Sequence, residues 1–554
     1  MSDRTVSGTL LPSRHQPPMP TDRVILATAP DPEAVPMDVL FVGGGPAGLA
    51  GAIHLARLVK ADAEAGGGLG PIEIGVLEKA GQLGEHCLSG AVVNPRALHE
   101  LFPELSESEL PLRGPVKNEA VYVMTAGRVL RIPTPPTMRN HGNRVASLCE
   151  VVRWLGEKAE ALGVNVLPGF PVASLLVEGA RVAGVRTEPA GRARDGSGGE
   201  APTDLTARVT VLAEGTRGLL TQSWLQWQGI RSANPQIYAL GVKELWEVRR
   251  PLDRIIHTMG WPLPRDAFGG SFMYPMGDNL VALGLVVGLD YHNARLDVHR
   301  LLQRLKLHPL FREQLEGGEM VEWGAKTIPE GGYYSVPERR HGEGCLVVGD
   351  AAGYVDVPSL KGIHYAMQSG IEAARAIFAA LKSGDTSAAG LASYTKAIDD
   401  GYVMADLKRT RNMRLAFKKG FVRGAIRAGL MTLTGGAFPR GRIAVLEDAA
   451  KPRELGAPVD VAFDGKLAFS KLDAVFKAGN QTRDDIPSHL IVGSDVSAES
   501  AELYVHLCPA GVYERDGDRL RVNAPNCVDC KATDVLGPRW TPREGGSGPR
   551  YRRM

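Results

Sequence analysis

The clearest indication of the fold class is the run Met37-Asp38-Val39-Leu40-Phe41-Val42-Gly43-Gly44-Gly45-Pro46-Ala47-Gly48. Its apolar first half is typical of a buried parallel strand, and the residues after Gly48 have the composition of a helix. Gly43, Gly45 and Gly48 have the Gly-x-Gly-x-x-Gly spacing. The first glycine makes a tight turn, the second lets backbone approach a pyrophosphate, and the third packs helix on strand. The anion then rests at the helix N-terminus, so the run predicts an α/β dinucleotide-binding domain.

A second strand and an acidic residue follow. Residues 72–77, which are apolar apart from Glu73, are predicted to form a strand that leads into Glu78, where a carboxylate can hold a ribose hydroxyl. The usual offset from the glycines to the acid is about 20 residues. The glycine-rich insertion at residues 65–71 explains the longer offset here. This order of elements favours a dinucleotide site over the alternative, a glycine-rich loop in an unrelated α/β fold.

Two later segments also indicate a dinucleotide-binding site. The apolar strand at 345–348 leads into Gly349 and Asp350, and a helical pattern begins near residue 364. This segment resembles the Gly-Asp motif of FAD enzymes of the para-hydroxybenzoate-hydroxylase type, where it meets the ribityl and phosphate groups. Residues 209–215, which end at Gly215, resemble another segment that these flavoproteins place near the dinucleotide. The three pieces together predict FAD rather than NAD, although Asp350 by itself is equally typical of a helix N-cap.

Length and charge bound the possible functions. The chain has 554 residues, 64 Lys and Arg against 62 Asp and Glu, and six cysteines. The length predicts about two to four domains or one composite fold. A net charge of +2 excludes a wholly basic nucleic-acid-binding protein, and no nucleic-acid partner is expected. Residues 1–36 have no apolar signal core and are interpreted as a flexible extension.

Three of the six cysteines lie close together near the C-terminus. Cys508 precedes a proline, and Cys527 and Cys530 form a Cys-x-x-Cys turn. Such a turn directs two thiolates at one metal centre, and a Cys-Pro elsewhere commonly supplies another ligand to an iron–sulfur cluster. The spacing favours an iron–sulfur cluster, while a structural zinc site and a redox-active Cys-x-x-Cys stay open as alternatives.

A basic and apolar segment precedes this region. Residues 407–446 carry ten Lys or Arg and no Asp or Glu, interleaved with apolar side chains. This pattern is typical of a segment on an anionic membrane surface, with a solvated helix face as the alternative. The residues expected at the membrane are Lys418, Lys419, Phe421, Arg423 and Arg427. No transmembrane helix is predicted, because the longest uncharged run, residues 39–56, contains Gly-Gly-Gly-Pro.

Further segments are distinctive in combination. They are Gly84-Glu85-His86-Cys87-Leu88-Ser89-Gly90-Ala91, Val242-Lys243-Glu244-Leu245-Trp246, His257-Thr258-Met259-Gly260-Trp261-Pro262, Gly269-Gly270-Ser271-Phe272, Cys508-Pro509-Ala510-Gly511-Val512-Tyr513-Glu514 and Asn526-Cys527-Val528-Asp529-Cys530-Lys531. Together they resemble the electron transfer flavoprotein–ubiquinone oxidoreductases, from about Val39 to the C-terminus. The resemblance implies that Leu88 and Ser89 contact FAD. It also implies that Gly269 and Gly270 contact a quinone, because glycines let a flat ring approach backbone; a β-turn or bulge is the alternative.

The resemblance also implies an α/β (α+β) domain organisation. Its parts are a flexible extension (1–36), a FAD-binding Rossmann-type domain in two pieces (37–235 and 336–405) with a membrane-contacting stretch near 83–102, an interleaved ubiquinone-binding β-sheet domain (236–335), a membrane-surface segment (406–446) and a ferredoxin-like iron–sulfur domain (447–554).

One position departs from the family pattern. The family holds a 4Fe–4S cluster with one cysteine followed by Cys-x-x-Cys-x-x-Cys, and the last position here is Thr533. A threonine hydroxyl is a poor iron ligand beside a thiolate. Three outcomes stay open: a four-iron cluster with an oxygen ligand from Asp534 or water, a 3Fe–4S cluster, or a domain without a cluster.

The implied reaction carries electrons from reduced electron transfer flavoprotein through FAD and the cluster to ubiquinone, and no catalytic triad is expected. We expect a protein bound peripherally to the cytoplasmic face of a bacterial inner membrane, with the mitochondrial inner membrane as second choice. The alternatives are a FAD-dependent reductase of the geranylgeranyl-reductase type and a family member whose cluster is altered or lost.

Overall fold

A computed structural model of the chain describes residues 9–438, 440–517 and 519–554. Its strands, in chain order, are β1 (Ile25–Leu26), β2 (Val35–Pro36), β3 (Val39–Val42), β4 (Ile74–Glu78), β5 (Val92–Val93), β6 (Gly114–Pro115), β7 (Glu119–Met124), β8 (Val129–Ile132), β9 (Arg144–Val145), β10 (Asn165–Pro168), β11 (Val172–Glu178), β12 (Arg181–Thr187), β13 (Asp204–Thr206), β14 (Val209–Leu212), β15 (Tyr238–Glu247), β16 (Ile255–Gly260), β17 (Gly269–Gly277), β18 (Leu280–Gly288), β19 (Glu319–Pro329), β20 (His341–Gly342), β21 (Cys345–Val347), β22 (Leu490–Ile491), β23 (Tyr513–Asp516), β24 (Arg519–Val522) and β25 (Arg539–Trp540).

The α-helices are α1 (Thr21–Val24), α2 (Pro46–Glu64), α3 (Arg96–Leu101), α4 (Leu148–Glu160), α5 (Leu219–Trp227), α6 (Val298–Lys306), α7 (Pro309–Leu315), α8 (Ile363–Ser383), α9 (Ala392–Asp400), α10 (Tyr402–Thr410), α11 (Met413–Ala416), α12 (Phe421–Leu433), α13 (Lys471–Lys477), α14 (Ala498–Leu507) and α15 (Ala532–Leu536).

The dinucleotide domain is built on a six-stranded sheet in the order β10-β4-β3-β14-β21-β20. The neighbouring strands are parallel except for the β21–β20 pair. Val42, Leu77, Leu212 and Val347 lie side by side across the sheet. Parallel strands that end in register open onto one edge, where α/β folds bind their ligands. The glycine turn, the acid and both later segments therefore meet there, and the predicted fold class is confirmed.

Helices α2 and α8 cross closely on this sheet. A Cβ atom on Gly370 would lie only 2.1 Å from the carbonyl oxygen of Ala47 and 2.9 Å from the nitrogen of Gly51. The two backbones can approach this closely because glycine has no side chain. The helix predicted near residue 364 is confirmed as α8, which ends at Gly384 in the left-handed conformation.

A seven-stranded sheet forms the central domain, in the order β19-β15-β18-β17-β16-β7-β8. Its long strands β15 and β18 are buried almost throughout. The strands β7 and β8 come from residues 119–132, which the sequence boundary at 236 assigns to the FAD-binding domain. The predicted boundary is therefore wrong, because β7 pairs with β16 in the central sheet. The two strands are more than 130 residues apart, and local sequence patterns do not indicate such a distant pairing.

The N-terminal region is the second correction. Residues 1–8 lie outside the described part of the chain, but the rest of the expected flexible extension is folded into the protein. Strand β1 pairs with β11 and β2 pairs with β13, so they form the two edges of a five-stranded sheet. Leu10 also pairs with Arg453 through two backbone hydrogen bonds of 2.8 Å. These partners are distant in sequence, which is why composition alone suggested flexibility.

The C-terminal domain packs directly on the central sheet. Trp246 and Trp323 of the central domain share one hydrophobic core with Leu503, Leu507 and Leu536 of the C-terminal domain. The backbone N–H of Thr327 in β19 donates to the carbonyl oxygen of Cys530 at 3.0 Å. The cysteine region is therefore held against the sheet that precedes it in the chain.

Candidate functional site

A cavity of about 380 Å³ lies at the carboxyl edge of the six-stranded sheet. This volume is within the range of ligand cavities, about 300–1,000 Å³. Its wall combines the dinucleotide domain, one face of the central sheet, and residues of the C-terminal domain. The predicted cofactor residues that line it are Gly43, Gly45, Glu78, Leu88, Ser89, Gly215, Gly349 and Asp350. Gly48 lies behind this wall, where α2 meets β3.

The three glycines of the first motif have different surroundings. Gly43 has φ +120°, and a Cβ atom there would lie 2.3 Å from the carbonyl oxygen of Ala213. A Cβ atom on Gly48 would lie 2.1 Å from the carbonyl oxygen of Gly43. Gly45 has no described atom within 4 Å of that position, so it faces open space in the cavity. Helix α2 begins beside Gly45 without a side-chain cap, which leaves its first N–H groups free for an anion.

Two of the acidic side chains that line the cavity are the predicted cofactor residues Glu78 and Asp350. The Glu78 carboxylate accepts hydrogen bonds of 2.9 Å from the backbone N–H groups of Gly44 and Ala80, which fix it at the end of β4. Burial raises the pKa of Asp350 to about 6, against the opposing effect of the positive charge on Lys326. These placements suit hydroxyl-rich parts of a dinucleotide, which both donate and accept hydrogen bonds.

Five lysines line the same cavity, and none of them was assigned to the cofactor site from the sequence. They are Lys79, Lys243, Lys326, Lys361 and Lys531. Burial lowers the pKa of Lys243, Lys361 and Lys531 to about 8 in each case. Among the described residues, the Lys243 ammonium has no hydrogen-bond partner. Four acidic residues, Glu78, Glu214, Glu330 and Asp350, line the same cavity, so the lysines offer local contacts to phosphate groups rather than a net cationic lining. Lys243 could have been noticed in the sequence, because a lysine in the middle of an apolar strand (residues 238–247) is unusual unless it faces a ligand.

A second, smaller cavity lies next to the first. It is lined by Cys508, Cys527, Cys530 and Thr533 together with apolar and aromatic neighbours. The structure thus brings the three predicted metal ligands to one site, with Thr533 at the fourth position. Lys531 and Trp540 line both cavities and form the wall between them. The Lys531 ammonium lies 4.5 Å from the Trp540 ring centre and donates to the carbonyl oxygens of Thr216 and Arg217.

The residues of the small cavity fit an iron–sulfur cluster. Burial raises the pKa of the Cys527 thiol to about 12 and that of Cys508 above its usual value, so a bound cation is needed to ionise them. The backbone N–H groups of Val512 and Ala510 oppose the effect of burial on the pKa of the Cys508 thiol. Buried thiolates with N–H donors are the usual environment of such clusters.

Asp529, between the two cysteines of the turn, joins the cysteine domain to the dinucleotide domain. Its carboxylate pairs with Lys79 and, at 3.0 Å, with Arg543, and it accepts a 3.0 Å hydrogen bond from the Trp540 indole. These partners hold its pKa well below the usual range although burial opposes them. Lys79 directly follows Glu78, so this contact links the metal-ligand loop to the end of β4. Sequence spacing gives no sign of it.

The predicted quinone residues Gly269 and Gly270 lie at the start of β17. Neither of them is among the residues that line the large cavity. A Cβ atom on Gly269 would lie 2.1 Å from the carbonyl oxygen of Val286, and one on Gly270 would lie 2.7 Å from that of Thr258. Close strand packing therefore accounts for glycine at both positions. Further along β17, Phe272 and Tyr274 do line the cavity. The role of the glycine pair in quinone contact stays a prediction.

Comparison with known proteins identifies the family. Residues 238–328 match the profile "ETF-QO, ubiquinone-binding", and residues 465–552 match "Electron transfer flavoprotein-ubiquinone oxidoreductase, 4Fe-4S". The mitochondrial electron transfer flavoprotein-ubiquinone oxidoreductase of Homo sapiens is 37% identical over 93% of this chain and 89% of its own length. The chain belongs to the electron transfer flavoprotein–ubiquinone oxidoreductase family. The Caenorhabditis elegans relative is 38% identical over 93% of this chain and 92% of its own.

Solved structures share the fold of this family member. A geranylgeranyl bacteriochlorophyll reductase-like protein from Thermoplasma acidophilum superposes with a TM-score of 0.57 at 19% identity, over 73% of this chain and 96% of that one. The flavin-dependent brominase Bmp2 gives a TM-score of 0.50 at 16% identity, over 73% of this chain and 94% of that one. At these identities the likeness extends to the fold alone.

The basic segment of this family member is less uniform than its sequence suggests. Arg414 is buried and binds Glu330 and Asp290 at 2.7 and 2.8 Å, so it is not a surface cation. The two acids come from distant parts of the chain, which corrects the expectation for the segment. Lys418, Arg423 and Arg427 are exposed, as expected. The side chains of Lys419 and Phe421 lie outside the described part of the structure.

The membrane-contacting stretch expected near residues 83–102 also needs correction. Leu88 lines the cavity, and Leu98, Leu101 and Phe102 are buried in the core of the dinucleotide domain. Their apolar character serves internal packing, which hydropathy alone does not distinguish from lipid contact. Across the described residues, no helix combines the length and apolar character needed to cross a bilayer.

A histidine–tyrosine pair at the cavity also had no sequence signal. Tyr274 lines the cavity, and its hydroxyl lies 2.5 Å from Nε2 of the buried His257. Burial lowers the pKa of His257 to about 3, so its imidazole is neutral. The two residues are 17 positions apart, and only the antiparallel pairing of β16 with β17 brings them together.

Proposed function

We propose that this protein accepts electrons from reduced electron transfer flavoprotein and delivers them to ubiquinone, with FAD and an iron–sulfur cluster as its carriers. The observation that carries the proposal is the common wall of the two cavities, which Lys531 and Trp540 form. A protein of this kind holds its redox groups close together and tunes them through burial, charge and hydrogen bonds. Because the same two residues line both cavities, a FAD and a cluster bound in them would lie close together.

The large cavity is the proposed FAD site. The N-terminus of α2 beside Gly45 would receive the pyrophosphate, with Glu78 at the ribose and Asp350 at the ribityl chain. Bound there, FAD supplies a carrier that exchanges electrons with both a flavin partner and a quinone. The protein's own contribution includes the lysines of the lining, which offer local contacts to the phosphate groups of the cofactor.

The quinone site is proposed at the central sheet. Strand β17 begins at Gly269 and Gly270 and continues to Phe272 and Tyr274, which line the FAD cavity. Residues 270, 272 and 274 lie on the same face of the strand because side chains alternate. A flat ring that follows this face from the glycines would reach the cavity.

Attachment to a membrane surface is proposed through α12. Ile426 and Leu433 are 62% and 85% exposed on this helix, beside the exposed Arg423 and Arg427. Apolar side chains next to cations suit the boundary between acyl chains and anionic headgroups. The relatives named above are mitochondrial. For this chain we propose the cytoplasmic face of a bacterial inner membrane.

The reductase alternative is not favoured. Its support is a similar fold at 19% identity. It leaves unexplained both the cysteine cavity and the family matches at residues 238–328 and 465–552.

The decisive experiment measures reduction of a ubiquinone analogue by reduced electron transfer flavoprotein. Wild-type protein should catalyse the reaction, and Cys530→Ala should lose most of it together with the cluster signal. Cys345→Ala, which removes a buried thiol outside both cavities, is the matched control and should retain activity. A FAD-loaded, cluster-loaded wild type that leaves the quinone oxidised would contradict the proposal.

A further inference from the structure

The position of the fourth cluster ligand, Thr533 in this chain, is where the sequence departs from its family. A cubic 4Fe–4S cluster takes four protein ligands, normally thiolates. Among the described residues, the side chains with donor sulfur at the cavity are Cys508, Cys527 and Cys530. The remaining cysteines, 87, 149 and 345, belong to the dinucleotide part of the chain and do not line this cavity. The fourth side is occupied by Thr533, which is 8% exposed.

Neighbouring carboxylates are already engaged elsewhere. Asp534 accepts the backbone N–H of Trp540 at 3.0 Å through one oxygen, and its other oxygen pairs with Arg217. The two oxygens of Asp529 are held by Arg543 and Lys79. Neither acid lines the cavity, so the oxygen ligand that the sequence suggested at Asp534 is not available.

His489 is the other side chain with a metal-binding atom nearby. One of its ring nitrogens lies within 4.8 Å of the Cys527 sulfur and an Asp529 oxygen. It does not line the cysteine cavity, and the charged groups around it are Arg543, Asp529 and Lys79. Among the described residues neither of its ring nitrogens has a hydrogen-bond partner, but His489 is not part of the cavity lining, so we assign the fourth position to Thr533.

We propose that this protein holds its cluster with three thiolates and leaves one iron, beside Thr533, exchangeable and open to water or hydroxide from solution. The inference rests on the proposed function, since it presumes the iron–sulfur cluster. A neutral hydroxyl binds iron far more weakly than a thiolate does. That iron is therefore the first to leave. With ferricyanide as the one-electron oxidant, a 4Fe–4S cluster of charge +2 releases one Fe²⁺ and one electron and becomes a 3Fe–4S cluster of charge +1. Fe²⁺ together with one electron from dithionite reverses the change.

The test uses the full chain, loaded anaerobically with iron and sulfide, and follows iron content and EPR rather than turnover. After ferricyanide, wild-type protein should lose about one iron in four and show the EPR signal of an oxidised three-iron cluster. Isotopically labelled Fe²⁺ with dithionite should then enter a single site in the Mössbauer spectrum. Thr533→Cys should keep its iron and show no three-iron signal. Thr482→Cys, which adds a thiol elsewhere in the same domain, should behave as wild type.

Several results would overturn the inference. They are a wild type that retains all its iron under the oxidant, a Thr533→Cys variant identical to wild type, and label that enters several sites. Tyr513 supplies another hydroxyl at the cavity and His489 a nearby nitrogen. Extra iron loss in Tyr513→Phe or His489→Gln would assign the fourth ligand to that residue and reject the open site. Because none of these readouts requires the flavoprotein or the quinone, they separate this inference from failure of the proposed reaction.

Discussion

At the scale of single residues, Gly43, Gly45 and Gly48 show how one motif combines folding with ligand binding. A Cβ atom on Gly43 or Gly48 would lie 2.3 or 2.1 Å from a backbone oxygen, so the fold itself requires glycine at both positions. Gly45 faces the open cavity. Its φ of −84° is accessible to any residue, so only a ligand requires glycine there.

We predict that Gly45→Ala separates cofactor binding from folding. The methyl group would occupy cavity space and should weaken FAD binding at least tenfold, about 1.4 kcal/mol. The free energy of unfolding of the apoprotein should change by no more than about 1 kcal/mol. Flavin fluorescence titration and urea unfolding measure the two quantities. Gly68→Ala, in an exposed loop with open space around it, should change neither. Unchanged FAD affinity in Gly45→Ala would place the pyrophosphate elsewhere.

At the scale of elements, the basic segment divides into two parts with different roles. Arg414 in α11 anchors the segment to the core, since Glu330 and Asp290 pair with it and it lies 4.0 Å from the Phe268 ring centre. Helix α12 leaves Ile426, Leu430 and Leu433 exposed. A buried anchor followed by an exposed amphipathic helix fits surface attachment.

We predict that Arg423→Glu/Arg427→Glu weakens binding to anionic vesicles at least about 30-fold, since each surface cation contributes about 1 kcal/mol. Sedimentation with phosphatidylserine-containing vesicles measures the effect, and added salt should weaken wild-type binding too. Arg249→Glu/Arg312→Glu makes the same charge change at exposed arginines outside the segment and serves as control. Equal sedimentation of both double variants would assign the attraction to overall charge.

At the scale of the whole molecule, one feature is the number of histidines enclosed by the fold. Burial is the main cause that lowers the pKa of His257, His364 and His489 to about 3 and that of His54 and His299 to about 4. These values lie below the unfolded value near 6.5. The unfolded chain therefore binds more protons than the folded one at mildly acidic pH.

We predict that the contribution of these histidines to stability is fully present above about pH 6.5 and is lost progressively as the pH falls toward 4. A histidine such as His299 should lower the free energy of unfolding by about 2 kcal/mol between neutral pH and about pH 5. Urea unfolding across this range measures the slope. His299→Gln, which can still donate to the carbonyl oxygen of Phe469, should flatten it, whereas His292→Gln at an exposed position should not. Identical slopes in the wild type and His299→Gln would mean that other titratable groups determine the pH dependence of stability.

Local motifs in the sequence were enough to predict the dinucleotide fold, the family and the ligand types. Gly43, Glu78 and Asp350 occur in local motifs whose strand ends set their position, so spacing was enough to bring them to one edge. The shared metal site of Cys527 and Cys530 could likewise be predicted, because a Cys-x-x-Cys turn brings its two cysteines together. These features depend on local backbone geometry, which short patterns encode.

The way in which those sites meet depends on tertiary contacts and could not be predicted from the motifs. The tertiary structure set Lys531 and Trp540 between the two cavities, engaged Asp534 with Arg217, and buried Arg414 among acids more than 80 residues away. It also placed two short strands of the N-terminal region, β1 and β2, at the edges of a sheet. The physical reason is the same in each case. Burial and charge pairing depend on which distant segments pack together, and a local pattern of apolar and charged residues does not specify its partner.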